Sequence, residues 1–437
     1  MGTGIEKQLA TGLKDKDREF IWHPFTPLVG STENLVISQA EGARLITEDG
    51  QVIIDAIASW WVNLHGHSHP AIAQAIAQQA QQLEHVMFAG CTHEPAITLA
   101  ENLLSILPGN QSKIFYSDNG STAVEVGLKM ALQYWHNQNI SKSRVIALEG
   151  AYHGDTFGAM SLGERGAFTT PFWPYLFDVE FIPLPTGDAV DESIQHFKDI
   201  LKSGQVAAFI FEPLIQGASG MREYAPEVLD TLIELAREHH VLCIADEVMT
   251  GFGRTGKMFA SDYLNHKPDI ICLSKGLTGG AMALGATSCT AAIQQAYLHQ
   301  DILKTFFHGH SFTANPLACA AANASFSLLV SEECQQHIKR ISALHKEFKQ
   351  RLSGHQGLQR ITHLGTILAI EIKSDEKSSY VNEARHRLYP FFLSRGVLLR
   401  PLGNIVYILP PYVITDDELS QVYRTLEELL EVINEPT

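Results

Sequence analysis

The chain has 437 residues, 45% hydrophobic and 18% charged, a globular composition with ample material for a buried core. Its 48 acidic against 32 basic residues leave a formal net charge of −16, which excludes the broad basic surface that nucleic-acid binding requires. No apolar run approaches the length that spans a bilayer, so no membrane partner is expected. The opening stretch through Phe20 lacks the apolar core of a signal peptide, and Glu6 breaks the Gly2 myristoylation pattern. Six cysteines (Cys91, Cys243, Cys272, Cys289, Cys319, Cys334) show no CxxC spacing. A reduced, cytoplasmic protein is the expectation.

Short β-like runs at 35–38 and 44–47 open the chain. A strand is expected over 113–117, followed after Gly120 by a helix over 121–135, with Thr122 and Glu125 spaced as a capping box. Strands follow at 144–148, 206–211, 241–245, 269–273 and 285–290, with an amphipathic helix over 225–239. This alternation reads as an α/β domain with a mainly parallel sheet. Beyond residue 328 the character changes: a charged helix over 332–352, β-rich runs at 365–372 and 396–408, and a closing helix at 416–433. Residues 71–328 are therefore expected to form a large domain, with 1–70 and 329–437 joining in a smaller α+β domain built from both chain ends.

Three motifs mislead. Gly251-Phe-Gly253-Arg-Thr-Gly256 matches GxGxxG but lies deep in the chain, away from any first strand. Extended to Lys257, it fails as a phosphate loop because Met258 stands where a hydroxyl is needed for Mg²⁺. His65, His67 and His69 alternate before Pro70, but no HExxH or Cys/His pair accompanies them; ordinary hydrogen-bonded loop histidines are expected, and no metal.

Asp246 and Lys275 carry more weight. Each ends an apolar strand-like run, and parallel strands deliver their C-termini to one rim, where ligands bind in open α/β folds. A desolvated lysine there has a lowered pKa and an amine free to attack a carbonyl. A neighbouring carboxylate can keep a pyridine nitrogen protonated. Asp118-Asn-Gly120-Ser121-Thr122, opening a helix, offers unpaired N–H groups to a phosphate.

These residues sit within longer runs: Gly120-Ser-Thr-Ala-Val-Glu125, Ala151-Tyr-His-Gly-Asp155, Phe211-Glu-Pro-Leu-Ile-Gln-Gly217, and the stretch from Asp246 to Gly256 followed by Pro268 to Gly276. In that order they resemble the signature of class III pyridoxal phosphate (PLP)-dependent aminotransferases of fold type I. The resemblance runs from about Trp22 to Tyr412. It implies that Lys275 carries PLP and shuttles the proton, that Asp246 tunes the pyridine ring, and that Tyr152 stacks on it. It also implies that Gly120, Ser121, His310 and Ser311 surround the phosphate, Ser311 serving the neighbouring subunit of a homodimer.

Finer resemblance, in Trp22-His-Pro-Phe-Thr26, Ala58-Ser-Trp-Trp61, Met130 to Trp135, Asn315 to Cys319 and Leu399-Arg-Pro-Leu-Gly403 with Tyr407, points to the biotin-pathway branch of the class. That branch implies S-adenosylmethionine as amino donor and 8-amino-7-oxononanoate as acceptor. Phe25, Trp60, Tyr152, Lys275 and Gly309 would then meet substrate, with Arg400 taking the acceptor carboxylate. Two departures stand out: Phe25 replaces the usual tyrosine, and Gly309-His310-Ser311 replaces Gly-Pro-Thr. The alternatives are an ω-amino-acid transaminase, which need not keep Trp60-Trp61 or Arg400, and a PLP-binding protein without turnover.

Overall fold

The computed structural model describes residues 12–30, 32–374 and 384–434; Gly2 and Glu6 lie outside them. Near the N-terminus β1 (Ile37–Glu41), β2 (Arg44–Thr47) and β3 (Val52–Asp55) form an antiparallel meander. The central strands are β4 (Gln111–Ser117), β5 (Arg144–Leu148), β6 (Glu180–Ile182) and β7 (Val206–Phe211). After a small hairpin, β8 (Ile215–Gln216) with β9 (Arg222–Glu223), come β10 (Leu242–Asp246), β11 (Ile270–Leu273) and β12 (Gly285–Thr290). The C-terminal part supplies β13 (Leu358–Leu364), β14 (Ile367–Ile372), β15 (Val397–Leu398) and β16 (Ile405–Ile408).

The central sheet has seven strands in the order β4-β12-β11-β10-β7-β5-β6. Pairing is parallel from β11 to β6, while β12 runs antiparallel to both β11 and β4. All six residues of β7 are buried, as a continuous apolar strand requires when helices cover both sheet faces. Alternate residues feed two cores. Ile146, Phe209, Phe211, Cys243 and Ala245 join Phe197 and Leu232 on one side. Val145, Ala208, Ile210, Ile244 and Cys272 join Val124 and Ala131 on the other. The helix Gly120–Asn137 lies across the second face. Its approach needs Gly127, where an added Cβ would sit 2.9 Å from Cys272 Sγ.

Two local expectations are corrected. The cap of helix Gly120–Asn137 is Asn119, not Thr122 with Glu125: Thr122 N donates to Asn119 Oδ1 and Asn119 N to Thr122 Oγ1, both at 3.0 Å. Glu125 instead accepts Thr156 Oγ1 at 2.6 Å and Ala159 N at 3.0 Å, satisfying donors at the start of helix Phe157–Ser161. The run at 396–408 divides between two sheets. β15 pairs parallel with β3, and β16 pairs with β14. Pro401 and Gly403, which make the break, were visible in sequence. The histidines at 65–69 take separate hydrogen-bond partners: His65, edge-on to His69 with centroids 6.4 Å apart, meets Ser325 Oγ at 3.1 Å, and His67 meets Asp55 Oδ2 at 2.8 Å.

Candidate active site

A cavity of about 440 Å³ opens at the C-terminal rim of β10 and β11. Gly120, Ser121, Tyr152, Asp246 and Lys275, all singled out from sequence, line it, together with Trp61, His153, Glu212, Val248 and Met249. In the parallel register Asp246 pairs with Cys272, three residues before Lys275. The acid and the amine reach one rim for that reason.

Lys275 begins a short 3₁₀ turn, Lys275–Thr278, with a left-handed φ of 46°. A non-glycine residue held there is strained, a state that surrounding structure must enforce. Ser274 anchors the approach through Oγ to Leu284 O at 2.7 Å, and Lys275 Nζ lies 4.4 Å from the centroid of the Trp61 ring. Burial lowers the lysine pKa to about 8, with the Arg254 cation adding to that effect while Asp246 and Glu212 oppose it. The ordinary value is 10.5, so the neutral, nucleophilic form becomes abundant above pH 8. In cofactor-free protein, the rate at which an amine-directed reagent labels Lys275 is expected to rise through a midpoint near pH 8. Glu212→Gln removes a charge that favours the ammonium and is expected to move that midpoint lower. A midpoint near the ordinary lysine value, or an upward shift in the variant, contradicts the charge balance described.

Asp246 is held from two sides. His153 Nδ1 donates to Oδ2 at 2.7 Å, and Val248 N donates to Oδ1 at 3.1 Å. Both side chains are buried, and the opposite ring nitrogen of His153 has no hydrogen-bond partner among the described residues. Glu212 follows β7 and accepts Tyr152 N at 3.1 Å and Gly217 N at 2.9 Å. Burial raises its pKa to about 7, with Asp246 adding to the shift and His153 and the two N–H groups opposing it. Ser121 Oγ accepts Asp155 N at 3.1 Å, locking the helix start to the Tyr152 loop. An added Cβ at Gly120 would lie 2.8 Å from Val248 Cγ1, so only glycine lets the helix start approach the strand end this closely.

Beside the cavity lies a second group. Arg400 stacks its guanidinium 4.4 Å from the centroid of the Trp60 ring, and Phe25 meets Trp60 edge-on with centroids 5.6 Å apart. Phe25 also meets Phe168 at 6.4 Å. Gly309, His310 and Ser311 are placed elsewhere, in a loop preceding helix Pro316–Leu329, and do not line this cavity. There His310 N donates to Thr313 Oγ1 at 3.1 Å, while Phe307 and Phe312 stand exposed.

Sequence reasoning missed three cavity roles. Trp61 faces the amine of Lys275, and two adjacent tryptophans carry no signal of which indole does so. His153 belongs to the quoted 151–155 run, and its pairing with Asp246 was open to inference because buried carboxylates need donors. Glu212 stands just past a strand, at the same rim as Asp246, and that position was its signal.

The profile of the aminotransferase class-III family matches residues 29–430. The chain belongs to the class III aminotransferases. It is 48% identical over 421 residues to the adenosylmethionine-8-amino-7-oxononanoate aminotransferase of Synechococcus elongatus, covering 94% of this chain and 99% of that one. With the protein of the same name from Geobacter sulfurreducens, identity is 40% and coverage 96% and 98%. The crystal structure of the Methanocaldococcus jannaschii protein of that name aligns with a TM-score of 0.91 at 35% identity, covering 96% of this chain and 98% of that one. An amine transaminase from an uncultivated Pseudomonas species, in its PLP-bound form, aligns at 0.88 with 30% identity, covering 94% and 98%.

Proposed function

We propose that this chain is a PLP-dependent aminotransferase that moves the amino group of S-adenosylmethionine to 8-amino-7-oxononanoate, giving 7,8-diaminononanoate in biotin biosynthesis. The observation that carries the reading is the meeting of Lys275 and Asp246 at one rim, beside the Trp60–Arg400 stack. Near-complete alignment with relatives of that name supports it.

The cavity suits the cofactor. Its volume lies in the range of small-molecule sites. One end is the N-terminus of an 18-residue helix, where unpaired N–H groups and the helix dipole favour phosphate. The other end holds a lysine with a depressed pKa and a buried carboxylate. Bound PLP supplies an aldehyde that captures amines and a ring that accepts electrons.

Around it, Gly120 and Ser121 bind the phosphate through the helix start. Lys275 Nζ takes a proton and returns it, a task suited to a pKa near working pH. Asp246, braced by His153, holds the proton on the ring nitrogen. Tyr152, on the cavity wall, would lie against that ring. Trp60 and Phe25 shape the space for a bulky donor and a long aliphatic acceptor, Phe25 without the hydroxyl of the usual tyrosine, and Gly309 completes it from a second copy. Gly309, His310 and Ser311 serve the site of a second copy, which makes the working unit a homodimer. That Ser311 lies outside its own chain's cavity supports this division. The domain division at residues 70 and 328 belongs to the proposal and is supported by the pairing of β15 with β3. A cytoplasmic location also belongs to it; among the described residues no helix is long and apolar enough to cross a membrane.

Arg400→Ala supplies the test. Losing the cation that pairs with a desolvated carboxylate typically costs about 2–5 kcal/mol, and the guanidinium fork is not replaced by lysine. Single-turnover absorbance is expected to show the half-reaction with 8-amino-7-oxononanoate damaged at least as severely as the half-reaction with S-adenosylmethionine. Unchanged acceptor kinetics would remove Arg400 from the site and favour an ω-amino-acid substrate.

A further inference from the structure

Four consecutive residues without a glycine, Ala58, Ser59, Trp60 and Trp61, have positive φ, at 50°, 46°, 68° and 74°. L-residues visit this region singly and rarely string it into a turn. Two polar grips hold the turn. At its start lies the carboxylate of Asp55, which ends β3 and is fully buried. Its Oδ1 accepts Ile57 N at 3.2 Å, and its Oδ2 accepts Ser59 Oγ at 2.8 Å. His67 Nε2 donates to the same Oδ2 at 2.8 Å, and Nδ1 of the same ring meets Asn63 Nδ2 at 3.3 Å. At the far end the buried Arg254 donates from Nη2 to Asn63 O at 2.9 Å and to Trp61 O at 3.4 Å.

The turn points successive indoles at two different groups. Trp60 lies against Arg400 and Trp61 against Lys275, each at 4.4 Å from ring centroid to cation. We propose that Asp55, oriented by His67, is a positioning residue: it enforces the left-handed turn through Ser59, and so sets both the carboxylate-binding arginine and the reactive lysine against their aromatic platforms. Asp55 touches neither cation. It acts through backbone conformation, by supplying an acceptor that the left-handed form satisfies. The substrate part of this inference rests on the function proposed above; the conformational part does not.

Glycine provides the decisive variant, because it adopts positive φ without the steric cost a Cβ brings. Ser59→Ala removes the bond to Asp55 and keeps the Cβ, whereas Ser59→Gly removes the same bond and relieves the strain. In the full-length holoenzyme, Ser59→Ala is expected to lower kcat/KM for the keto acceptor by about 10- to 100-fold, the scale on which an ångström of misplacement acts. Its near-ultraviolet circular dichroism bands from tryptophan should weaken with it. Ser59→Gly should retain those bands and stay within a few fold of the parent. Asp55→Asn should behave like Ser59→Ala, and adding Ser59→Gly to it should recover most of the loss. Equal damage in the alanine and glycine variants, or no change in either, overturns the proposal; so does failure of Ser59→Gly to rescue Asp55→Asn. The dichroism reports the turn whatever the substrates, so a failure of the conformational claim is separable from a failure of the substrate assignment.

Discussion

Lys275→Ala is expected to yield a folded protein that binds PLP without covalent attachment and turns over at a rate reduced by at least about 10²–10⁴, the contribution of a positioned proton carrier. Folding should survive because the side chain lies on the cavity wall. Truncation even removes the cost of burying an amine whose pKa burial depresses. The missing functions are the amine that captures the aldehyde and the Nζ that moves the proton. Borohydride treatment of the parent holoenzyme followed by peptide mapping should place a pyridoxyl label on the peptide containing Lys275, and the same treatment of the variant should place none. A label on any other lysine defeats the assignment, whatever the kinetics.

Asp246→Asn is expected to keep PLP bound while slowing proton abstraction from the donor by about 10²–10⁴, the effect of removing a preorganised electrostatic partner. Shape is preserved and charge is lost. The amide oxygen can keep only one of the two donors, because Val248 N bonds Oδ1 and His153 Nδ1 bonds Oδ2; the amide nitrogen faces the other. What goes is the fixed negative charge that favours a protonated ring nitrogen. Single-turnover absorbance with the amino donor measures the step directly, and a cofactor titration separates binding from chemistry. Near-normal turnover would reduce Asp246 to an acceptor for His153 and the Val248 amide.

The sheet was legible in the sequence wherever a strand is buried on both faces. β5, β7 and β11 fall within the residues that apolar continuity marks out, because no competing helical period exists in those runs. The reactive pair was legible for the same reason: a polar residue ending an apolar strand can only sit at a rim. Illegible features depend on partners remote in sequence. The cap at Asn119 looked like one at Thr122 because both residues can accept, and tertiary demand from Thr156 and Ala159 drew Glu125 away. Nothing in Ala-Ser-Trp-Trp announces a left-handed turn, since the usual glycine signal is missing and the conformation is imposed by Asp55 and Arg254. The arginine itself hid inside a GxGxxG pattern whose glycines serve packing: at Gly253 an added Cβ would lie 2.6 Å from Ile338 Cδ1.

Arg254 also ties together stretches of chain made at very different times. Its Nη1 donates to Pro410 O at 2.8 Å while its Nη2 reaches back to Asn63 O and Trp61 O, and β3 finds its parallel neighbour only in β15. During synthesis, Asp246, Lys275 and the strands that precede them leave the ribosome well before Pro410 does. Closing such long loops is entropically slow, and domains fold as units once their contacts exist. The nascent chain can therefore build its sheet early, while the bond from Arg254 to Pro410 and the pairing of β3 with β15 wait until residues 397–410 emerge. The face of Arg254 turned away from the tryptophans thus gains its partner only from the far C-terminal part of the chain.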